Sequence, residues 1–218
     1  MSYVLPANIS KEYYSFQAYN SKQRLLTYWY QISESLELNP KSMLEVGLGT
    51  GLVTSYLRNC GIPVKTFDIN TKLKPDYNCS ILDSDKLHSV GKYDLVLCSR
   101  VLHHINYNEI DLALQNLSSL SNGHVLMTLP VDELRMYFMT RYTSSSIKTL
   151  SLKIPNFIKK TMTKLLKRDI GSGLWQINSS SDTSKSKLKS LIEEHFIISK
   201  SYQIPEDSSH MLYVLKKK

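Results

Sequence analysis

The residues able to do chemistry gather at a few places along the chain. Glu45-x-Gly47-x-Gly49-x-Gly51 lies where the apolar run Ser42-Met-Leu-Glu-Val46 gives way to a helical pattern from Leu52 to Arg58. Glycines are needed where a chain turns tightly and where a ligand lies against backbone, because a Cβ would occupy the ligand's space. A helix that starts behind such a turn presents free N–H groups to the ligand. The spacing is G-x-G-x-G, whereas turns that hold a dinucleotide pyrophosphate read G-x-G-x-x-G. Asp68 closes the short run Val64-Lys-Thr-Phe67. A carboxylate there accepts hydrogen bonds from paired sugar hydroxyls, the plainer reading being a helix cap. His103 and His104 carry imidazoles suited to general-base work near neutral pH, with packing as the competing role. Cys60, Cys79 and Cys98 are far apart in apolar surroundings. They are expected as buried free thiols, with no metal site and no disulfide framework.

The elements that must position these residues follow from periodicity. Leu25, Trp29, Ile32 and Leu36 recur at helical spacing between Ser21 and Leu38, and Asn39-Pro40 ends the pattern. Strands are predicted at 42–46, 64–67, 78–82, 93–98 and 124–129, with a helix over 110–120 whose apolar positions are Leu112, Leu114, Leu117 and Leu120. Strands alternating with helices predict an α/β fold, a Rossmann-like, doubly wound and mostly parallel sheet. Cys98, Ser99 and Arg100 then fall at the carboxyl edge of a strand, where an open α/β sheet places its ligand. From Pro130 to about Ser186 the alternation gives way to an irregular, basic, Ser-rich stretch, read as an insertion over the site. A helix over 185–195 and strands at 196–202 and 211–215 complete the sheet. The expected organisation is one domain: an N-terminal helical segment (1–40), a ligand-binding core (41–130), a basic insertion or lid (131–186) and a terminal helix with two strands (187–218).

The chain has 218 residues, enough for one α/β domain with a real core but not for a second large one. Its 42% hydrophobic and 21% charged residues are ordinary for a water-soluble globular protein. No apolar run approaches the length of a membrane span, and the first residues do not read as a secretory signal, so a cytoplasmic protein is expected. The net charge of +8 is unevenly placed. Between Glu133 and Asp169 there is no acid, while nine lysines and arginines accumulate, which points to an anionic partner. Within that stretch Ile154, Ile158, Met162 and Leu166 recur every four residues beside Lys159, Lys160, Lys164 and Lys167. This predicts a basic amphipathic helix, read as a lid with solvated lysines; peripheral membrane contact is the alternative.

Four segments together carry a resemblance: MLEVGLGTG, TFDIN, KYDLVLCSRVLHHI with the amphipathic helix behind it, and HVLMTLP. In their order and spacing, residues 42 to 130 resemble the type 11 branch of class I S-adenosylmethionine-dependent methyltransferases. The resemblance implies S-adenosylmethionine as cofactor, a molecule without phosphate. It implies that Gly47, Gly49 and Gly51 lie against the methionine part and that Glu45 orients the loop or reaches the amino group. Asp68 would bind the ribose, Ile69 would touch the adenine face, and Ser99 would lie at the strand edge. For the acid that reads the adenine amino group, one count gives Asp83 and another gives Ser80; Asp83 is preferred. His104, and with less support His103, are the catalytic candidates, and Tyr28, Trp29, Tyr30 or Trp175 are candidates to face the sulfonium or the acceptor. The implied activity is methyl transfer to a small-molecule or sugar acceptor, anionic if the basic stretch faces it. A nucleic-acid-directed methyltransferase or a non-catalytic S-adenosylmethionine-binding protein is the alternative; no base-flipping motif or RNA-binding module is present.

Overall fold

The computed structural model describes residues 9–14, 19, 21–141, 147–155, 158 and 173–218. Helix α1 (Lys22–Leu38) begins where the Ser21 side chain accepts from the Arg24 N–H and ends at Asn39 in the left-handed region. Strand β1 (Met43–Val46) runs through the glycine turn into α2 (Leu52–Asn59), and β2 (Val64–Phe67) follows. A short helix, α3 (Ser84–Leu87), leads to β3 (Tyr93–Ser99), α4 (Ile110–Leu120) and β4 (Ser121–Pro130). Then come β5 (Arg135–Arg141), β6 (Ile147–Lys153), α5 (Lys185–His195), β7 (Phe196–Gln203) and β8 (His210–Lys217). Six strands form one sheet in the order β2-β1-β3-β4-β8-β7. The first four are mutually parallel, β8 is antiparallel to β4, and β7 is antiparallel to β8. This is the mostly parallel, Rossmann-like sheet that the alternation predicts.

Alternate residues of the central strands feed two apolar layers, because successive side chains of a strand point to opposite faces. Leu44, Val46, Val96, Cys98, Val125 and Met127 belong to one cluster with Leu114 and Leu117 of α4 and Leu188 and Ile192 of α5. Met43, Leu95, Leu97 and Leu126 belong to the other with Ile32 of α1 and Val53 and Leu57 of α2. Both faces of the sheet are therefore covered, and β1 is buried at all four positions.

Several expectations are corrected. Residues 78–82 are not a strand: Tyr77 makes a single bridge to Phe67, after which the chain turns, with the Asp83 N–H donating to the Ser80 carbonyl. The Asp76 carboxylate takes the place of a ladder by accepting from both the N–H and the hydroxyl of Thr66. The stretch after Pro130 is not irregular throughout, since β5 and β6 pair as an antiparallel ribbon from Arg135↔Lys153 to Arg141↔Ile147. Glu133 closes the base of that ribbon through Arg135 and Lys153, at 2.7 and 3.1 Å. The basic helix expected over 155–168, with Lys159, Lys160, Lys164 and Lys167, lies outside the described residues save for Pro155 and Ile158. Cys79 and Cys98 are buried free thiols as expected, but Cys60, at the end of α2, is exposed. Helix α1 lies where the spacing puts it, and of its apolar stripe only Ile32 is buried. Trp29 is 58% exposed, whereas Thr27, Gln31, Glu34 and Ser35 are buried with Ile32. No described helix is long and apolar enough to cross a membrane.

Candidate functional site

A cavity of about 810 Å³ opens along the carboxyl edge of β1, β2 and β3. That volume is in the range of small-molecule and cofactor sites. The glycine loop forms one wall. Gly47, Gly49 and Gly51 all have positive φ, between 53° and 84°, which side-chain-bearing residues rarely adopt. Gly47 donates from its N–H to the Phe67 carbonyl at 2.8 Å, and a Cβ there would stand 2.3 Å from Val101 Cγ2. A Cβ on Gly49 would meet no protein atom within 4 Å; the room beside it belongs to the cavity. Gly51 is outside the lining and serves as the left-handed residue that starts α2.

Two buried acids hold this loop. Asp68 accepts from the Leu48 N–H and the Asn70 N–H, one on each oxygen and each at 2.8 Å, so it ties the end of β2 to the glycine turn. Burial raises its carboxyl, and these backbone hydrogen bonds oppose that rise. With the Ile69 N–H as a third backbone donor, the carboxylate still has acceptor capacity for a ligand in the cavity that Asp68 lines. Asp68 is not a helix cap, because Asn70 caps the following turn. Glu45, on β1, accepts from the Thr54 hydroxyl of α2. Burial pushes its carboxyl up to about 7 despite that bond.

Ile69, Ser80 and Ile81 continue the lining beyond Asp68. Asp83 does not join them. Its carboxylate caps α3 by accepting from the Lys86 N–H and pairs with the Lys86 ammonium at 2.8 Å, so of the two counted positions Ser80 is the one at the cavity. Across β3 the lining changes character. Ser99 Oγ receives a 2.7 Å hydrogen bond from Gln31 Nε2 of α1 and lies 2.7 Å from Thr128 Oγ1 of β4. Arg100 reaches Asp207, which precedes β8, at 2.6 Å. Asp207 also accepts from Thr27 of α1 and from Ser209. Burial would raise Asp207, but the hydrogen bonds from His210 and Ser209 and the Arg100 charge hold it below its ordinary value.

His103 and His104 both line the cavity, their rings 4.0 Å apart between centroids. Burial lowers both imidazoles, His103 well below its usual range, so both are neutral near pH 7. His103 Nδ1 is buried without a hydrogen-bond partner among the described residues. Tyr28 lines the cavity, but Trp29 is on the surface, Tyr30 bonds to Glu206, and Trp175 is a core residue whose indole N–H donates to the Ile105 carbonyl. Arg100, expected at the strand edge, lines the cavity, as do Arg24, Gln31, Asp207 and His210, which periodicity does not single out. The only trace of them in the sequence is polar residues at 27, 31 and 35, spaced as one face of a helix.

Solved structures share this architecture at low identity, which bears on the fold alone. The PH0226 protein of Pyrococcus horikoshii OT3 superposes with a TM-score of 0.58 at 12% identity, covering 97% of this chain and all (100%) of its own. Magnesium protoporphyrin IX methyltransferase from Synechocystis PCC 6803 with bound S-adenosylhomocysteine gives 0.55 at 14%, covering 90% of this chain and 83% of its own. The 1,6-didemethyltoxoflavin-N1-methyltransferase of Burkholderia thailandensis, with its substrate and S-adenosylhomocysteine, gives 0.55 at 13%, covering 94% and 81%. No curated protein sequence matches the chain. A family model does: the methyltransferase domain matches residues 19–167, more than half of the sequence and every element of the glycine-loop half of the site. The chain therefore belongs to the methyltransferase-domain family.

Proposed function

We propose that the protein is an S-adenosylmethionine-dependent methyltransferase whose acceptor is a small molecule. The observation that carries this reading is the wall built by Gly47, Gly49, Glu45 and Asp68: a glycine position open to a cavity, with a backbone loop pinned by one buried acid and floored by another. These residues fit the cofactor by chemistry as well as by space. Glu45 and Asp68 offer carboxylates to an ammonium group and to ribose hydroxyls, the glycine turn lacks the G-x-G-x-x-G spacing of pyrophosphate-binding turns, and Ile69, Ser80 and Ile81 offer a mixed face to a purine. When bound, the cofactor supplies a methyl group already activated by a sulfonium charge.

What remains for the chain's own residues is to bind, orient and exclude water, which is where most of the rate of such a transfer arises. The acceptor is assigned to the half of the cavity over β3, β4 and β8, lined by Ser99, Arg100, His103, His104 and His210. Neutral imidazoles at His103 and His104 are competent to take a proton from an oxygen or nitrogen acceptor. A cavity of this size takes a small molecule whole. The three free cysteines accord with a reducing compartment such as the cytoplasm.

Isothermal titration with S-adenosylmethionine, S-adenosylhomocysteine and NAD tests the cofactor. The first two are expected to bind and NAD is not; binding of NAD alone overturns the reading. Incubation with methyl-labelled cofactor and a fractionated small-molecule extract then identifies the acceptor by the fraction that takes up label.

A further inference from the structure

Arg100 is the most constrained residue in the acceptor half. It follows β3 with φ 57°, in the left-handed region, and its N–H donates to the Thr128 carbonyl. That backbone places a guanidinium inside the protein, with Nη2 2.6 Å from Asp207 Oδ2. Its Nε is buried and has no hydrogen-bond partner among the described residues. Buried donors are nearly always satisfied, so an orphaned guanidinium N–H at a cavity wall calls for an acceptor that the described residues do not supply.

Asp207 is not that acceptor, since Arg100 reaches it through Nη2 alone. Its oxygens already accept from Arg100, from the Thr27 hydroxyl at 3.1 Å and from the Ser209 hydroxyl, and His210 Nδ1 lies 3.3 Å away. The single Ser209 hydrogen goes to Asp207, so in the 2.9 Å contact between Ser209 Oγ and His210 Nδ1 the ring nitrogen is the donor. His210 Nδ1 therefore offers Arg100 no lone pair, although it lies 3.2 Å from Nη2.

A second cation faces the same space. Arg24 of α1 lies over the Tyr19 ring, 3.7 Å from its centroid, and lines the cavity. Burial lowers the Arg100 guanidinium first, and the charge of Arg24 lowers it further. No described carboxylate pairs with Arg24. The other acids near this half are engaged: Glu133 by Arg135 and Lys153, while Asp132 has a partner of its own. Two guanidinium groups thus line the cavity, and among the described residues only Arg100 is paired with a carboxylate, Asp207.

We propose that Arg100, with Arg24 beside it, is a subsite for an oxyanion, a carboxylate or a phosphate, carried by the methyl acceptor. The Arg100 Nε–H and its remaining Nη hydrogens form the planar fork that matches such a group. This inference rests on the assignment of the glycine-loop half to the cofactor, whose own carboxylate is the competing oxyanion.

The test is calorimetric titration of protein saturated with S-adenosylhomocysteine, at constant ionic strength, with benzoate and separately with inorganic phosphate. At least one is expected to bind, benzoate alone marking a carboxylate acceptor and phosphate alone a phosphate ester. Arg100→Gln is expected to weaken that probe by about tenfold or more and Arg24→Gln by several-fold, the scale of a charge-assisted hydrogen bond lost or a neighbouring charge removed. S-adenosylhomocysteine affinity should stay within about twofold in both variants. Arg24 is half-buried and holds no ion pair among the described residues, so Arg24→Gln decides the matter if a melt shows Arg100→Gln unfolded. The proposal is overturned if neither anion binds the saturated protein. It is equally overturned if the substitutions weaken S-adenosylhomocysteine as much as the probe, for the arginines then serve the cofactor's carboxylate. Failure of the wild-type protein to bind S-adenosylhomocysteine at all refutes the cofactor assignment instead, and the same titrations on the ligand-free protein then decide the oxyanion site.

Discussion

Replacing Glu45 by glutamine should abolish a proton release that accompanies cofactor binding. In the ligand-free protein, burial raises the Glu45 carboxyl from 4.5 to about 7, against the opposing hydrogen bond from Thr54. An ammonium group brought beside it compensates for the lost solvation and returns the carboxyl toward 4.5. At pH 6 a group with a pKa of about 7 is roughly nine-tenths protonated, and one near 4.5 is almost fully ionised, so binding of S-adenosylhomocysteine should release about 0.9 proton. The shift corresponds to about 3.4 kcal/mol of differential interaction between the two protonation states. Calorimetry at pH 6 in two buffers of different ionisation enthalpy reads the release directly. It should be near 0.9 in the wild type, near zero in Glu45→Gln, and should fade in the wild type above about pH 8. The same group sets a pH window for the free protein. Between pH 4.5 and about 7 the folded state keeps a proton that the unfolded chain has lost, so stability should fall as pH rises through that window, by up to about 3 kcal/mol, and should not do so in Glu45→Gln. Proton release of equal size in wild type and variant would refute the assignment of Glu45 to the cofactor's ammonium.

Asp68→Ala should weaken S-adenosylhomocysteine binding by about 1.5–3 kcal/mol, since it removes both a ligand acceptor and the anchor of the Leu48 N–H; Asp68→Asn should fall between. Normal affinity of Asp68→Ala by calorimetry would remove Asp68 from the site. Gly49→Val should fold, at a strain cost of about 1–2 kcal/mol for its positive φ, yet lose the cofactor, because its side chain projects into open cavity. Gly47→Ala should lower the melting temperature even without ligand, its Cβ colliding with Val101; a melt unchanged from wild type would show the loop to be pliant. Asp83→Ala should leave S-adenosylhomocysteine affinity unchanged, and a clear loss would restore Asp83 to the adenine side.

Most of the sheet was legible because its signals are local. Each parallel strand is a short buried run, and its neighbours in space follow from the βαβ rhythm, so the fold class and most element ends agree with the pattern. The misreadings have a common cause, which is side chains doing the work of backbone or of core. At 78–82 an apolar strand-like run fails to extend β2 because Asp76 supplies the hydrogen bonds to Thr66 that a ladder would. In α1 the spacing of Leu25, Trp29, Ile32 and Leu36 marks the helix, but of these only Ile32 is buried. The helix packs its polar residues inward, Thr27 onto Asp207 and Gln31 onto Ser99, partners far away in sequence. Binary patterning assumes that the inward face is apolar, and a helix that walls a polar cavity breaks that assumption.

The same contrast separates the two halves of the site. Glu45, Gly47, Gly49, Asp68 and Ile69 sit in or beside turns that leave the carboxyl ends of β1 and β2, and the rule that ligands bind there locates them from sequence. Applied to the last strand, the rule searches the wrong end. Because β8 is antiparallel to β4, with Pro130 paired to His210, it is the first residue of β8 that reaches the carboxyl edge of the sheet, not Lys217. His210 and the preceding Asp207 therefore arrive opposite Arg100 from the amino side of their strand, more than a hundred residues away from it in sequence. The direction of one strand thus places a carboxylate and an imidazole in the acceptor half. The parallel strands alone leave there the cation of Arg100, and a reading of the sequence by parallel strands alone overlooks the carboxylate that holds it.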